Sequence, residues 1–337
     1  MKKFVYQFIV LVSLILLSLM SYNYFTDIYG IFRSDFSQPR PTEPNQHFIK
    51  VKYLIENPNK YNAYCFGSSR VGNLDFKKVK NINNYYNMTY SQGLPKEWLD
   101  DIKILLKNNV NISQILLGID DFSFRSDPKS HEFQYLLIPY KENNFKTYFS
   151  LLLKKPSKPD FLQTKDKSNF FDIYDSGRPL HPYIDEQIEK NIEKHIKDKK
   201  FNKPSKSYGN RIDKTIQELS EIKEIADANN IELIVFINPI HQTTYLSNDL
   251  DEFNNFKSQL AKITNYYDFS GLNYITTNNY YYYETSHYRP IAGDIMLTRI
   301  FNTLPNTETD FGIYVTTQNI DKHIANLEKQ IKNNVSR

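Results

Sequence analysis

Two spacings of apolar residues alternate along the chain and predict strands separated by helices. Short apolar runs predict strands at 61–66, 84–88, 112–117, 231–237 and 266–269. Apolar residues three and four apart predict helices at 95–107, 210–228, 250–263, 290–301 and, more polar, 319–332. Strands that alternate with helices are typical of a parallel, doubly wound sheet covered on both faces. The expected fold class is therefore α/β, as a flavodoxin-like three-layer α/β/α sandwich.

The alternation stops after the third strand, where residues 122–205 are polar and rich in proline. A charged helical stretch near 185–199 is the most regular part of this segment. Because long loops in compact domains are usually functional or disordered, we expect a large insertion over one edge of the core, facing substrate. The domain itself spans 60–305. A linker with helix-breaking prolines occupies 26–59, and a tail with a helix occupies 306–337.

The N-terminus has the pattern of a membrane anchor. Lys2 and Lys3 precede an uncharged, largely apolar run from Phe4 to Phe25. A helix needs roughly 20 apolar residues to cross a bilayer. Residues 1–25 are therefore long enough to form a transmembrane anchor. The two lysines favour a cytoplasmic N-terminus and place the rest of the chain on the periplasmic side of the cytoplasmic membrane. A cleaved signal peptide is the alternative, although the run lacks the small residues of a cleavage site.

Composition excludes several function classes. The 337 residues are 40% hydrophobic and 24% charged, and the net charge of +4 is dispersed, which argues against a nucleic-acid partner. The only cysteine, Cys65, permits no internal disulfide; it is either a small core residue or a nucleophile. Histidine and cysteine spacings typical of metal sites are missing, as are glycine-rich phosphate loops. We therefore expect neither a metal nor a cofactor.

Polar residues cluster where strands end. The loops 67–70, 91–93 and 118–121 follow three predicted strands, and 284–287 precedes the last core helix. In open parallel sheets, ligands bind at the carboxyl ends of the strands. Acyl transfer through serine needs an exposed hydroxyl, a histidine base with an orienting carboxylate, and donors for the oxyanion. Ser69, His287 and Glu284 are the candidate nucleophile, base and orienting group.

These loops resemble the four sequence blocks of the SGNH hydrolase superfamily, in the same order. The Gly-Asp-Ser block corresponds to residues 67–69, with Ser68 in place of the aspartate. The second-block glycine corresponds to Gly93. The Gly-x-Asn-Asp block corresponds to residues 118–121, and Asp-x-x-His to residues 284–287. With its anchor, the chain is similar to cell-envelope members such as the D-alanyl transfer protein of teichoic acid and alginate O-acetylation proteins.

Two departures from that pattern change the expected chemistry. Glu284 is one methylene longer than the family's aspartate. Asp120 replaces an asparagine that donates to the oxyanion, and an ionised carboxylate cannot donate. Either Asp120 is protonated, or it turns away and the amides of Ser69 and Gly93 suffice, or simple hydrolysis is not the activity. Arg70 either binds an anionic substrate or pairs with Asp120.

Three further assignments stay open. Ser68 is the nucleophile if the register of the turn is shifted by one residue. His241 follows a predicted strand and lines the site or is an ordinary loop histidine. The tyrosine run 280–283 stacks on sugars or packs in the core.

The resemblance implies an anchored extracytoplasmic O-acyltransferase or esterase that acts on an envelope glycan. An acyl group passes to Ser69 and then to a sugar hydroxyl or water, with His287 as base and then acid. The resemblance also implies a membrane-bound O-acyltransferase partner. The alternative is a non-catalytic anchored protein that binds glycan or assists assembly, with a degenerate site; Asp120 and Glu284 favour it.

Overall fold

The computed structural model describes residues 1–33, 35–37, 42–79, 83–156, 170–301 and 310–335. The expected boundary between residues 305 and 306 lies outside the described residues, as do three prolines of the predicted linker and insertion, Pro39, Pro41 and Pro159.

The helices and strands follow the predicted alternation closely. The helices are α1 (Lys2–Thr26), α2 (Gln46–Glu56), α3 (Pro95–Lys107), α4 (Phe145–Leu152), α5 (Pro182–Lys190), α6 (Ile192–Ile196), α7 (Ile212–Ala228), α8 (Gln242–Tyr245), α9 (Leu250–Ile263), α10 (Pro290–Ile300) and α11 (Ile320–Val335). The strands are β1 (Ala63–Gly67), β2 (Tyr85–Asn87), β3 (Gln114–Ile119), β4 (Phe170–Asp172), β5 (Arg178–Leu180), β6 (Glu232–Ile237), β7 (Tyr266–Asp268) and β8 (Ile313–Val315).

The fold is mixed α/β around a mostly parallel six-stranded sheet. The strand order is β2-β1-β3-β6-β7-β8, and only β8 runs antiparallel to its neighbour, β7. Gly67 of β1 pairs with Gly118 of β3, and Ile119 of β3 pairs with Ile237 of β6. The carboxyl ends of these three strands therefore lie side by side. The edge strand β8 was not predicted from the sequence.

Side chains of the central strands alternate between two hydrophobic layers, as the period of two requires. Tyr64 and Phe66 of β1 point into one layer, together with apolar side chains of α3, α7 and α9. Cys65 points into the other layer with those of α10. Both faces of the sheet are thus covered by helices.

Helix α2 departs from the expected linker. Its residues Phe48, Val51 and Leu54 are fully buried in the hydrophobic core. Asn45 caps the helix by accepting a hydrogen bond from the Phe48 amide at 2.8 Å. Pro44 lies just before this helix, outside it, and therefore does not interrupt it. This part of 26–59 belongs to the domain core.

The insertion contains more regular structure than its composition indicated. It forms α4, the antiparallel pair β4–β5, and the short helices α5 and α6 where one helical stretch was expected. Arg289, at the start of α10, holds α5 in place: its Nε lies 3.0 Å from Asp185 Oδ1, and Nη2 lies 2.6 Å from Glu189 Oε1. These ion pairs tie the insertion to the loop that carries His287.

Helix α1 extends away from the domain. Its 25 residues are long and apolar enough to cross a membrane, and its most apolar window buries nothing against the protein. A signal sequence has the same length and composition.

Candidate active site

A tight turn after β1 presents Ser69. The amides of Val71 and Gly72 donate to the Ser68 and Ser69 carbonyls at 3.1 and 3.2 Å, which starts a single 3₁₀ turn, Val71–Asn73. A Cβ atom at position 67 would lie 2.5 Å from Val71 Cγ2, closer than two carbon atoms can approach. Glycine at 67 therefore allows the chain to fold back directly after the strand, and Ser69 stays partly exposed at the bend.

Ser69, His287 and Glu284 form a continuous hydrogen-bonded chain. The Ser69 Oγ lies 2.9 Å from His287 Nε2, and His287 Nδ1 lies 2.5 Å from Glu284 Oε1. The two side chains of the His–Glu pair are each 37% exposed. This arrangement provides a hydroxyl, a base within reach of its proton, and a carboxylate that fixes the tautomer of the base.

Glu284 reaches the imidazole despite its extra methylene. Its carboxylate also accepts hydrogen bonds from the amides of Ser286 at 2.7 Å and His287 at 2.9 Å. Partial burial would raise the pKa of Glu284, but the hydrogen bond and charge of His287 and these amides lower it below the ordinary value. Glu284 is therefore held as a carboxylate.

The loop that carries His287 is held at both of its ends. Tyr282 and Tyr288 form an isolated antiparallel bridge, and the Tyr283 amide donates to the His287 carbonyl at 2.8 Å. Asn73, in the turn after Ser69, donates from Nδ2 to the Tyr288 carbonyl at 2.7 Å. This last bond joins the two loops and keeps His287 beside Ser69.

Asp120 lies in a buried polar network beneath the turn. Its Oδ2 accepts from the Ser68 hydroxyl at 2.6 Å, and its Oδ1 accepts from Asn238 Nδ2 at 3.0 Å. Asp120 and Ser68 are both fully buried. Burial raises the pKa of Asp120 above its ordinary value, against the opposing effect of Arg70. The network accounts for both carboxylate oxygens, and Ser68 is a donor to Asp120.

Arg70 connects three loops. Its Nη1 lies 3.1 Å from Asp120 Oδ1 and 2.5 Å from Asp121 Oδ1. Its Nε and Nη2 lie 3.3 and 3.2 Å from the Ser286 hydroxyl. Arg70 is 3% exposed, and its guanidinium lies 5.3 Å from the centre of the Phe122 ring. Of the two roles considered for Arg70, pairing with Asp120 is the contact present, with Asp121 as a second partner.

Gly93 lies directly against the nucleophile turn. A Cβ atom there would lie 2.6 Å from the Gly67 carbonyl oxygen, so only glycine allows this approach. The Gly93 amide donates to the Tyr90 carbonyl at 3.3 Å and is already engaged. The Ser69 amide makes no hydrogen bond within the described parts of the chain. Ser69 therefore keeps a backbone donor for a ligand.

A cavity of about 880 Å³ opens over the Ser69–His287 pair. Its walls come from the domain and from the insertion. Besides Ser69, Arg70 and His287, the lining residues are Glu43, Gln46, Asn73, Thr89, Tyr90, Ser91, Gln92, Asp121, Phe122, Ser126, Phe171, Pro179, His181, Ile184, Ser205, Lys206, Ser207, Tyr208, Tyr283 and Ser286. Many of these residues carry hydroxyl groups or aromatic rings, and four of them, Glu43, Arg70, Asp121 and Lys206, carry charges.

Two other sequence candidates lie elsewhere. His241 is buried: its Nε2 lies 2.9 Å from Asn279 Oδ1, and its Nδ1 accepts from the Thr243 amide at 3.2 Å, which caps α8. Cys65 is fully buried, and burial raises the pKa of its thiol, so it is unsuited to nucleophilic attack.

The tyrosine run 280–283 is divided between the core and the cavity. Tyr282 is buried in the core, whereas Tyr283 lines the cavity.

His181 is a cavity residue that sequence reasoning missed. It lies at the start of α5, in the insertion, and burial together with the nearby His287 lowers the pKa of its imidazole. No spacing in the polar insertion distinguishes it from the other histidines. Asn73 and Ser286 were missed for the same reason, because each acts through contacts between residues far apart in the chain.

Among the described residues, histidine, cysteine and acidic side chains form no cluster able to hold a metal ion. Comparison of the chain with protein-family models and with curated proteins finds no match.

Proposed function

We propose that this protein is a serine acyl hydrolase or O-acyltransferase of the SGNH type. The observation that carries the proposal is the hydrogen-bonded chain from Ser69 through His287 to Glu284, open to a cavity. The order of the four sequence blocks supports the same assignment. Each block contributes residues to this site, although Ser68 and Asp120 are buried beneath it.

In the proposed reaction, Ser69 Oγ attacks the acyl carbonyl carbon as its proton passes to His287 Nε2. Glu284 accepts a hydrogen bond from the N–H group of His287 Nδ1 and stabilises the imidazolium. The Ser69 amide donates to the oxyanion. Collapse of the intermediate breaks the bond to the leaving group, which takes the proton from His287. An acceptor hydroxyl or water then attacks the acyl-serine and gives its proton to His287. Collapse of this second intermediate breaks the bond between the acyl carbon and Ser69 Oγ, which takes the proton back from His287 and frees the acylated acceptor or the carboxylic acid.

The position of Asp120 is compatible with this chemistry. A carboxylate about 4 Å from an oxyanion would oppose the developing charge by about 4 kcal/mol at an effective dielectric near 20, or roughly a thousandfold in rate. Asp120 instead directs both oxygens to Ser68, Asn238 and Arg70. The positive charge of Arg70 offsets the negative charge of Asp120. The backbone amide of Ser69 then donates to the oxyanion in place of an asparagine side chain.

The strand order supports the finer fold assignment, a flavodoxin-like sandwich. Numbered 1 to 5 in chain order, the parallel strands of this sheet are β1, β2, β3, β6 and β7. Their order across the sheet is then 2-1-3-4-5, which is the flavodoxin-like order. In such sheets, ligands bind where the order reverses, between the first and third strands. Ser69 follows β1 and Asp120 follows β3, so the proposed site lies at that point.

The proposed substrate is an envelope glycan, and the proposed location is the outer face of the cytoplasmic membrane. Helix α1 supplies the anchor, with Lys2 and Lys3 on the cytoplasmic side. The hydroxyl- and tyrosine-lined cavity suits a sugar chain. We also propose a membrane-bound O-acyltransferase partner that provides the acyl group, because the family that the sequence resembles implies one.

A second candidate is a non-catalytic glycan-binding or assembly protein. The observation that favours it is the pair of lost oxyanion donors: Asp120 is turned into the core, and the Gly93 amide is bound to Tyr90. A fluorophosphonate probe separates the two candidates, because it reacts only with an activated serine. We expect it to label the wild-type protein and Ser68→Ala, but not Ser69→Ala. A folded wild-type protein that resists the probe would favour the binding function.

A further inference from the structure

The domain is joined to the end of α1 by direct contacts. Asn23 of α1 donates from Nδ2 to the carbonyls of Leu152, the last residue of α4, and Lys154 at 2.7 and 2.8 Å. Asp27 caps the exit of the helix: its carboxylate accepts from the Ile31 amide at 2.8 Å and the Arg33 amide at 2.7 Å. Helix α4 is therefore held against the point where α1 ends.

Helix α4 has one buried face and one exposed apolar face. Leu151 is 3% exposed, and the Tyr148 ring lies 5.9 Å from that of Phe32 and 5.7 Å from that of Phe48. On an adjoining side of the helix, Phe145 and Phe149 are 72% and 47% exposed.

The two exposed phenylalanines form a single patch. Their rings stack with centroids 6.0 Å apart, as expected for residues four apart on a helix. A pair of exposed rings on one short helix is a larger apolar surface than the single exposed residues usual on soluble proteins.

The end of α1, which α4 contacts, has the composition of a membrane interface. Tyr24 is 42% exposed and Phe25 is 66% exposed, and the Arg33 guanidinium lies 5.3 Å from the centre of the Phe25 ring. Aromatic residues and basic side chains are typical of the level at which a spanning helix leaves the hydrocarbon core. The C-terminal end of α4, the helix that carries the patch, contacts this end of α1.

We infer that Phe145 and Phe149 form a lipid-binding face that seats the domain on the outer surface of the bilayer. The inference rests on the proposed function in one respect, namely that α1 spans the membrane. Phe171 connects the two sites, because it packs in the same cluster as Leu151 and also lines the cavity. Seating of α4 on lipid therefore holds the cavity at a fixed height above the membrane.

Site-directed spin labelling of the full-length protein tests this face. Cys65 is buried, so single cysteines introduced by Phe8→Cys, Phe145→Cys, Phe149→Cys and Tyr314→Cys can be labelled selectively. Tyr314 is the matched control, since it is 46% exposed and lies on β8 at the far edge of the sheet from β2. The labelled proteins are placed in vesicles of phosphatidylethanolamine and phosphatidylglycerol, and collisions with oxygen and with a water-soluble nickel complex are compared.

We expect the ratio of oxygen to nickel accessibility to be severalfold higher at positions 8, 145 and 149 than at 314. If position 8 is in lipid while 145 and 149 match 314, the lipid-binding face is wrong and the anchor stands. If position 8 is in water, the membrane span fails and the inference fails with it. Strong dipolar broadening between labels at 149 would show that a second copy covers the face, which also overturns the inference.

Discussion

Arg70 and Ser286 link the loop of the proposed nucleophile to the loop of the proposed base. The guanidinium Nε and Nη2 lie 3.3 and 3.2 Å from the Ser286 hydroxyl, while Nη1 pairs with Asp120 and Asp121. One buried side chain thus connects both loops to the carboxyl end of β3. In the proposed mechanism, Arg70 is a positioning residue for Ser69 and His287.

Arg70→Ala should therefore harm both stability and activity. The substitution leaves the carboxylates of Asp120 and Asp121 buried without a cation, and breaking such a pair costs about 3–5 kcal/mol. We expect a lower melting temperature and loss of fluorophosphonate labelling. Adding Asp120→Asn to Arg70→Ala should restore part of both, because one of the two unpaired charges is removed.

Ser286→Ala is the control for that experiment. It removes the contact between the loops but leaves the carboxylates paired, so we expect a loss of only about 1 kcal/mol. A destabilisation by Ser286→Ala as large as that by Arg70→Ala would contradict the role given to the buried charges.

Asp120→Asn alone should retain or increase activity on a small acyl ester. In the proposed mechanism the buried carboxylate makes no direct contribution to oxyanion binding, and asparagine is the residue that donates to the oxyanion in the family that the sequence blocks resemble. The measurement is kcat for an aryl acetate, with the melting temperature recorded in parallel. A folded Asp120→Asn protein as inactive as Ser69→Ala would show that the carboxylate itself is essential.

Glu284→Gln should lower kcat by roughly 10³–10⁴-fold and change KM little. A glutamine amide that donates to His287 Nδ1 would stabilise the tautomer with its proton on Nε2, which cannot accept the Ser69 proton. Glu221→Gln, on the exposed face of α7, is the matched control. Equal rates for the two variants would remove Glu284 from the mechanism.

A buried ionic cluster at the end of β7 determines how the stability of the protein should respond to acid. Asp268 Oδ2 lies 2.9 Å from Lys257 Nζ and 2.8 Å from His323 Nε2. Burial would raise the pKa of Asp268, but these two groups lower it below the ordinary value. A carboxyl with a lowered pKa stabilises the folded state above its ordinary pKa, about 3.9, and the contribution is lost as the pH falls further.

Asp268→Asn should thus destabilise the protein by about 3–5 kcal/mol at neutral pH, because it leaves the Lys257 ammonium buried without its carboxylate. The difference from wild type should narrow as the pH falls below about 4, because Asp268 is then protonated in the unfolded chain while it stays ionised in the folded one. Thermal unfolding at several pH values measures the difference in stability between the two proteins. Glu328→Gln, at an exposed position of α11, is the control. A difference that does not narrow below about pH 4 would contradict the lowered pKa of Asp268.

The sequence was most informative where one local pattern decides the structure. The bounds of α3 and α9 match the predicted helices, because regular apolar spacing and a proline or aspartate at the start specify both. Helix α2 and strand β8 were missed. The apolar spacing of α2 lies between prolines that resemble linker punctuation, and β8 has only three residues and is specified by its pairing with β7.

At the site, the sequence could predict which residues carry chemistry but not how they are arranged. Ser69, His287 and Glu284 follow from residue type and position next to predicted elements. The contacts of Arg70 with Ser286 and of Asn73 with the Tyr288 carbonyl join residues more than 200 positions apart, so no local spacing indicates them. The entry of His181 into the cavity likewise depends on how the insertion folds over the sheet.

The most direct test is to locate the acyl group on the enzyme. The wild-type protein is mixed with an aryl acetate, quenched in acid within the first turnover, digested, and mapped by tandem mass spectrometry. We predict a single acetyl group on the Ser69 hydroxyl, absent when His287→Ala is treated in the same way. An acetyl group on Ser68 in place of Ser69, or equal acetylation of wild type and His287→Ala, would contradict nucleophilic catalysis by a Ser69–His287–Glu284 site.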